Sequence, residues 1–196
     1  MRPLPTEWDE PPWGAPIDAD ALIRAVPANA TISGVFLTAV AEAARARGHT
    51  LHMARERYTP FTPYPLREHC ELMVEAATTM WPELPLRQGL RKLGRGSPVA
   101  LMKSVLGRVV LGSAEGPTQI LRAMAKSYPL HTRPGSLEVH ELGPRHVIVR
   151  MLDIHYFLDS QHVRVFEGVM RFAGVEGQVR MKSYSRTDAD LSCEWR

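Results

Sequence analysis

The strongest constraint on this chain lies in its last third, where four alternating stretches bracket one helical run. Apolar and polar residues alternate over 137–142 and 146–153, and again over 175–185 and 189–195. Between the pairs, 159–173 carries its apolar residues at helical spacing. An order of strand-strand-helix-strand-strand calls for an antiparallel sheet with a crossover helix laid on one face. Parity sorts the sheet's faces, because successive side chains point to opposite sides. One side gathers Leu137, Val139, Val147, Val149, Met151, Val179, Met181, Leu191, Cys193 and Trp195. The other gathers Glu138, His140, Arg150, Arg180, Lys182, Tyr184, Ser192 and Glu194, interrupted by apolar Ile148 and Leu152. The first set reads as core. The second reads as a polar face, its two apolar members calling for cover by a partner or by another part of the chain.

The residues before this unit read as helices. Asp18 caps a segment over 19–26, and Thr31 a longer one over 32–47 that stops at Gly48. A helical turn is expected over 52–57, then a packed loop with three prolines and three aromatics over 58–65. Leu66, Cys70, Met73, Val74 and Ala77 fit the inner stripe of a helix over 66–80. Short helices over 85–93, stopped by Gly94, and over 97–111 follow, and Pro117 opens a last one that ends at Tyr128-Pro129. The expected fold is therefore α+β. A helical layer of about six helices, residues 17–130, packs on a four-stranded antiparallel sheet of ββαββ order, residues 135–196, in one domain spanning 17–196. Residues 1–16 are proline-rich, carry Trp8 and Trp13, and read as an extended arm.

Composition narrows the function classes. With 44% hydrophobic and 23% charged residues, the 196-residue chain matches an ordinary globular domain. Its net charge of +3 is scattered apart from Arg87, Arg91, Lys92 and Arg95, which crowd one short helix, so nucleic-acid binding is not expected. Cys70 and Cys193 are far apart and fall on apolar faces, as reduced core cysteines do. No apolar run reaches membrane-spanning length, and the N-terminus lacks a signal-peptide core, so a cytoplasmic location is expected.

No catalytic motif is found: GxGxxG, GxSxG, HExxH and a phosphate loop are all missing from the sequence. Gly94-Arg95-Gly96 reads as a helix stop. His49 and His52 could share a helix face but have no third ligand nearby, so no metal site is expected. His155-Tyr156-Phe157-Leu158 leaves a strand for the crossover helix, a position that often lines a pocket. Ser104 and Arg108 share a helix face, where Arg108 could bind an anion. His155 or His162 with Glu167 could form an acid–base pair, whereas Glu167 and Arg171 at i,i+4 suit a surface ion pair. The ligand-binding candidates are Arg108, His155, Tyr156 and Glu167, with no cofactor indicated.

Several segments together resemble a family. Thr31-Ile-Ser-Gly-Val-Phe36, Tyr64-Pro-Leu-Arg-Glu68, Gln88-Gly-Leu-Arg-Lys-Leu-Gly-Arg95, Ser104-Val-Leu-Gly-Arg108 and Asp188-Ala-Asp-Leu-Ser-Cys-Glu-Trp195 look like a myxobacterial paralogous family of uncharacterised proteins of similar length. Phe166-Glu-Gly-Val169 belongs to the same set. That resemblance implies a sensory or regulatory adaptor and brings no catalytic residues. More distantly, helices ahead of a ββαββ unit look like the haem-NO-binding-like and vinyl-reductase-associated ligand domains, which hold small molecules between helices and sheet. Tyr184-Ser185-Arg186 departs from the haem family's Tyr-x-Ser-x-Arg motif in spacing, and no histidine stands out as an iron ligand. The expected function is a small-molecule-binding or regulatory domain without catalytic activity, dimeric through the sheet edge, its polar face or the arm. The alternatives are an enzyme using the His/Glu pair, and a protein–protein interaction module anchored by Trp8 and Trp13.

Overall fold

A computed structural model describes residues 2–9, 15–103 and 114–196. Among the described residues the helices are α1 (Ala19–Ala25), α2 (Gly34–Arg45), α3 (Leu66–Met80), α4 (Leu86–Lys103), α5 (Gly116–His131) and α6 (Val163–Phe172). The strands are β1 (Thr31–Ser33), β2 (Pro63–Pro65), β3 (Thr132–Arg133), β4 (Ser136–Gly143), β5 (His146–Leu152), β6 (Gly177–Ser183) and β7 (Ala189–Trp195).

The C-terminal unit is an antiparallel sheet of order β4-β5-β7-β6, crossed by α6 between its two strand pairs. The register puts Leu137 opposite Met151, Val149 opposite Leu191, and Val147 and Val179 both opposite Cys193. Those residues form one face, as their parity requires, and all are buried. On α6, Val163, Phe166, Val169 and Met170 are buried at helical spacing. Each such side chain contributes about 1.5–3 kcal/mol through the area it removes from water. Both cysteines are free and buried. Burial pushes the Cys70 thiol up to about 12, so it stays protonated.

Elsewhere tertiary contacts override local signals. No helical turn forms over 52–57, where the backbone bends at 54–56, and the His52 N–H donates to Glu75 at 2.6 Å. Thr31 starts a strand instead of capping a helix, and β1 pairs with both β2 and β3 in a small second sheet. Strands of two and three residues, two of them prolines in β2, are too short for alternation to show. Gly94 does not stop a helix either: α4 runs on to Lys103. A Cβ at Gly94 would sit 2.1 Å from the Gln161 carbonyl oxygen, so this glycine serves a close backbone approach. α5 passes through Pro129 to His131, where proline in a last turn loses one helical bond.

The described part of the arm lies against the polar face of the sheet. Asp9 donates its N–H to the Met181 carbonyl at 2.8 Å, and its carboxylate takes Lys182 Nζ at 2.8 Å and the Ser183 N–H at 2.7 Å. Arg2 reaches Asp190 at 2.8 Å and stacks on Tyr184. Beneath it, Arg150 (3% exposed) grips Asp190 (0% exposed) through bonds of 3.1 and 3.2 Å. Ile148 is buried on this face too. Trp13 lies outside the described residues, and Trp8 packs near Arg180.

Candidate functional site

Between the helical layer and the inner sheet face lies a cavity of about 830 Å³. α2 supplies Phe36 and Val40 to its wall, α3 Met73 and Met80, α5 Ile120 and Met124, β4 Leu137, and α6 Phe166 and Val169. These are the inward positions of amphipathic helices, so the same periodicity that builds the core makes the cavity apolar. Exposed Arg45, Arg47, Arg57 and Lys92 stand at its rim with Phe61 and Phe172.

Set into this apolar wall are His69, Tyr128, His131, Tyr156, Gln161 and His162. The Tyr156 ring packs edge-on against His162 at 4.6 Å and against His69 at 5.8 Å between centroids. Burial lowers His69 to about 3, with repulsion from His162 adding to the effect. Burial likewise lowers His162 to about 4, and burial lowers His131. All three are therefore neutral imidazoles near pH 7. His131 Nδ1 shares a hydrogen bond with Ser33 Oγ at 3.3 Å, while burial raises both tyrosine hydroxyls. Four buried polar atoms around the cavity lack a hydrogen-bond partner: His69 Nδ1, Tyr128 Oη, His131 Nε2 and Gln161 Oε1. Leaving such a group unsatisfied costs about 1–3 kcal/mol, so each needs a reason.

The wall segment is also strained. A π-helical turn, Leu158–His162, precedes α6. Asp153 (φ 59°) and Phe157 (φ 41°) adopt left-handed backbone on either side of Tyr156. Left-handed geometry at a residue with a Cβ costs about 1–2 kcal/mol, and such strain gathers where side chains must be aimed. Here it aims Tyr156 and His162 inward.

Tyr156 is the one member of the expected ligand set on this wall. His155 turns away and bonds Asp153 at 2.6 Å. Glu167 faces the other side of α6, where it pairs with Arg164 rather than Arg171. His162 and Glu167 therefore do not meet in one cavity. Arg108 and Ser104 lie outside the described residues. The expectation missed His69, His131 and Gln161. For His69 a signal existed: it stands three residues after Leu66 and next to Cys70, a polar residue on an apolar stripe.

The arrangement is one of helices over a ββαββ sheet with a cavity between. The chain belongs to the family described as "Protein of unknown function (DUF2378)", which matches residues 25–196. No curated protein matches the chain. Among solved structures it is similar to an unliganded Fe(II) H-NOX protein from K. algicida, with a TM-score of 0.63 at 10% identity, covering 84% of this chain and 97% of that one. An S. oneidensis H-NOX protein in the Fe(II)NO state gives 0.63 at 11% identity, covering 84% and 99%. An oxygen-binding H-NOX domain related to soluble guanylate cyclases gives 0.60 at 11% identity, covering 83% and 92%. At such identities the shared feature is the fold, which is the haem-NO-binding-like one.

A haem would need an imidazole with an open nitrogen for its iron and cations for its carboxylates. His69 Nδ1 and His131 Nε2 are such nitrogens, and the rim arginines and Lys92 are such cations, so the residues present fit the group. No cluster of three or more His, Cys, Asp or Glu that could hold a bare metal ion occurs among the described residues. Tyr184-Ser185-Arg186 lies beyond β6, outside the cavity lining, where the Ser185 hydroxyl donates to Asp188 at 2.6 Å.

Proposed function

We propose that this protein is a sensory or regulatory domain that binds a small, largely apolar molecule in the cavity between helices and sheet, without catalysing its conversion. The observation that carries this reading is the set of four unpartnered polar atoms, His69 Nδ1, Tyr128 Oη, His131 Nε2 and Gln161 Oε1, around an apolar space of about 830 Å³. A ligand with a hydrogen-bonding head would satisfy them while its body replaces water against Met73, Phe166 and Val169. Tyr156, wedged between His69 and His162, is the side chain that reports occupancy. Strain at Phe157 lets the segment 153–162 shift when a ligand enters.

Haem is the second reading, favoured by the H-NOX fold and the two open imidazole nitrogens. Bound there it would supply an iron site for a diatomic gas. His69 or His131 would hold the iron, and the rim cations would hold the carboxylates. The two readings separate in one titration of purified apoprotein with hemin, followed by absorption. A Soret band at one equivalent that is lost in His69→Leu or His131→Leu assigns haem. An unshifted hemin spectrum, together with saturable binding of an apolar fluorescent probe, assigns the non-haem ligand. Neither signal would refute the cavity's role.

A cytoplasmic location and a homodimer complete the proposal. No helix among the described residues is long and apolar enough to cross a membrane. The outer edge of β4 is where a second copy could add a strand, because Asp9 of the arm already pairs with Met181 on the outer edge of β6.

A further inference from the structure

A second cleft, of about 1150 Å³, opens between α4, α6, β6 and the arm. Five cations line it: Arg91, Lys92 and Arg95 from α4, Arg164 from α6, and Arg180 from β6. They converge because Gln88, Arg91 and Arg95 recur at three- and four-residue steps along one helix face, while α6 and β6 approach from opposite sides.

Three carboxylates share the cleft, Glu7, Asp9 and Glu167, so positive charge exceeds negative by two among its described residues. Two of those carboxylates are engaged. Asp9 is bound to Lys182 and the Ser183 N–H, and Glu167 to Arg164, while Arg180 pairs with Glu194 of β7. Arg91 lies deepest, at 6% exposed, and its ionisation is lowered to about 10, first by burial and then by repulsion from Arg164. Like charges held together in a low-dielectric recess focus an attractive field on anions. Guanidinium groups match phosphoryl oxygens through paired, charge-assisted hydrogen bonds. Trp8 and Asp9 of the arm close one side, which limits the occupant to a small molecule or a headgroup.

We propose that this cleft binds a compact polyanion carrying phosphoryl groups, with Arg91, Arg95 and Arg164 as its cationic contacts. Gln88 and Gln178 flank them as neutral hydrogen-bonding amides. This site is separate from the apolar cavity, with Lys92 bordering both. It gives the domain a second input of opposite chemistry to the first.

The test is calorimetric titration of the full chain with sodium pyrophosphate at constant ionic strength. The proposal expects saturable binding that weakens about tenfold or more in Arg95→Gln, the loss of one charged hydrogen-bonding partner. Arg95 is exposed, so this variant keeps the fold. Arg122→Gln removes the same charge at an exposed pair with Glu141 outside the cleft and should bind like wild type. Flotation with vesicles containing phosphatidylinositol bisphosphate then identifies the source. Recruitment that Arg95→Gln abolishes assigns a lipid headgroup, and pyrophosphate binding without recruitment assigns a soluble phosphate compound. Absence of both saturable heat and recruitment overturns the proposal. So does equal weakening by Arg95→Gln and Arg122→Gln, which would show a diffuse charge effect. The hemin and apolar-probe titrations read the other cavity and can succeed whatever happens here.

Discussion

The Asp190 carboxylate on the outer face of the main sheet and the polar atoms around the inner cavity are all buried, and they differ in their partners. On the outer face Asp190 is wholly buried, yet it accepts two bonds from Arg150, one from Arg2 and one from the Tyr184 hydroxyl at 3.3 Å. On the inner side, the histidines and Gln161 around the cavity keep atoms without partners. A buried carboxylate that accepts four hydrogen bonds holds one arrangement of the chain. An unsatisfied polar group loses stability and makes sense where a ligand completes it. The contrast separates a structural clasp from a cavity whose polar groups are unmet.

Breaking the clasp gives the largest effect. Asp190→Asn leaves Arg150 buried without its countercharge and should cost about 3–5 kcal/mol in urea unfolding. A loss below 1 kcal/mol would mean that the face is wet and the contrast false.

The inner side responds to acid instead. His69 and His162 titrate at about 3 and about 4 in the folded chain, below the ordinary 6.5. Between those values the unfolded chain binds more protons, so stability is complete above pH 6.5 and falls as the pH drops. Each histidine costs about 1.4 kcal/mol per pH unit in that window, or about 3 kcal/mol for the two at pH 5.5. Urea midpoints at pH 7.5 and 5.5 measure it, and His69→Phe should halve the difference. An unchanged midpoint would place both imidazoles in water.

Gly94→Ala sharpens the account of the cavity wall, because its methyl group meets the Gln161 backbone of the strained turn. Displacing that turn should cost about 1–3 kcal/mol and weaken ligand binding as well. The smallest effect belongs to the arm. Asp9→Ala should leave the unfolding midpoint nearly unchanged while proteases cut the first residues faster, because Asp9 ties down only that segment. Unchanged cleavage would show that Arg2 and Trp8 suffice to hold it.

What the sequence made legible follows from the range of the forces involved. Alternation over seven or eight residues records which side of a strand is buried, so the residues of β4 to β7 could be assigned to faces before their partners were known. It also marked Ile148 as needing cover, and Ile148 is buried. Gly94 misled because a helix stop and a close helix–turn approach place the same residue type at the same point, and the deciding atom, the Gln161 carbonyl, lies 67 residues away in sequence. The cavity was hidden for a related reason. His69, His131 and Gln161 come from three separate segments, and none differs locally from a surface polar residue. Tyr156 was legible because a strand-to-helix connection lines pockets in many folds. Its neighbour His155 points the other way, a choice fixed by the left-handed backbone at Asp153 and Phe157.

The central claim, that the inner cavity is built to be filled, is tested most directly by native mass spectrometry of the protein purified from its own host, with an absorption spectrum of the same sample. The account predicts a bound small molecule in stoichiometric amount, released on unfolding and absent from a His69→Leu variant. A bare chain mass for the wild type, unchanged after incubation with hemin and with apolar compounds of matching size, would contradict it.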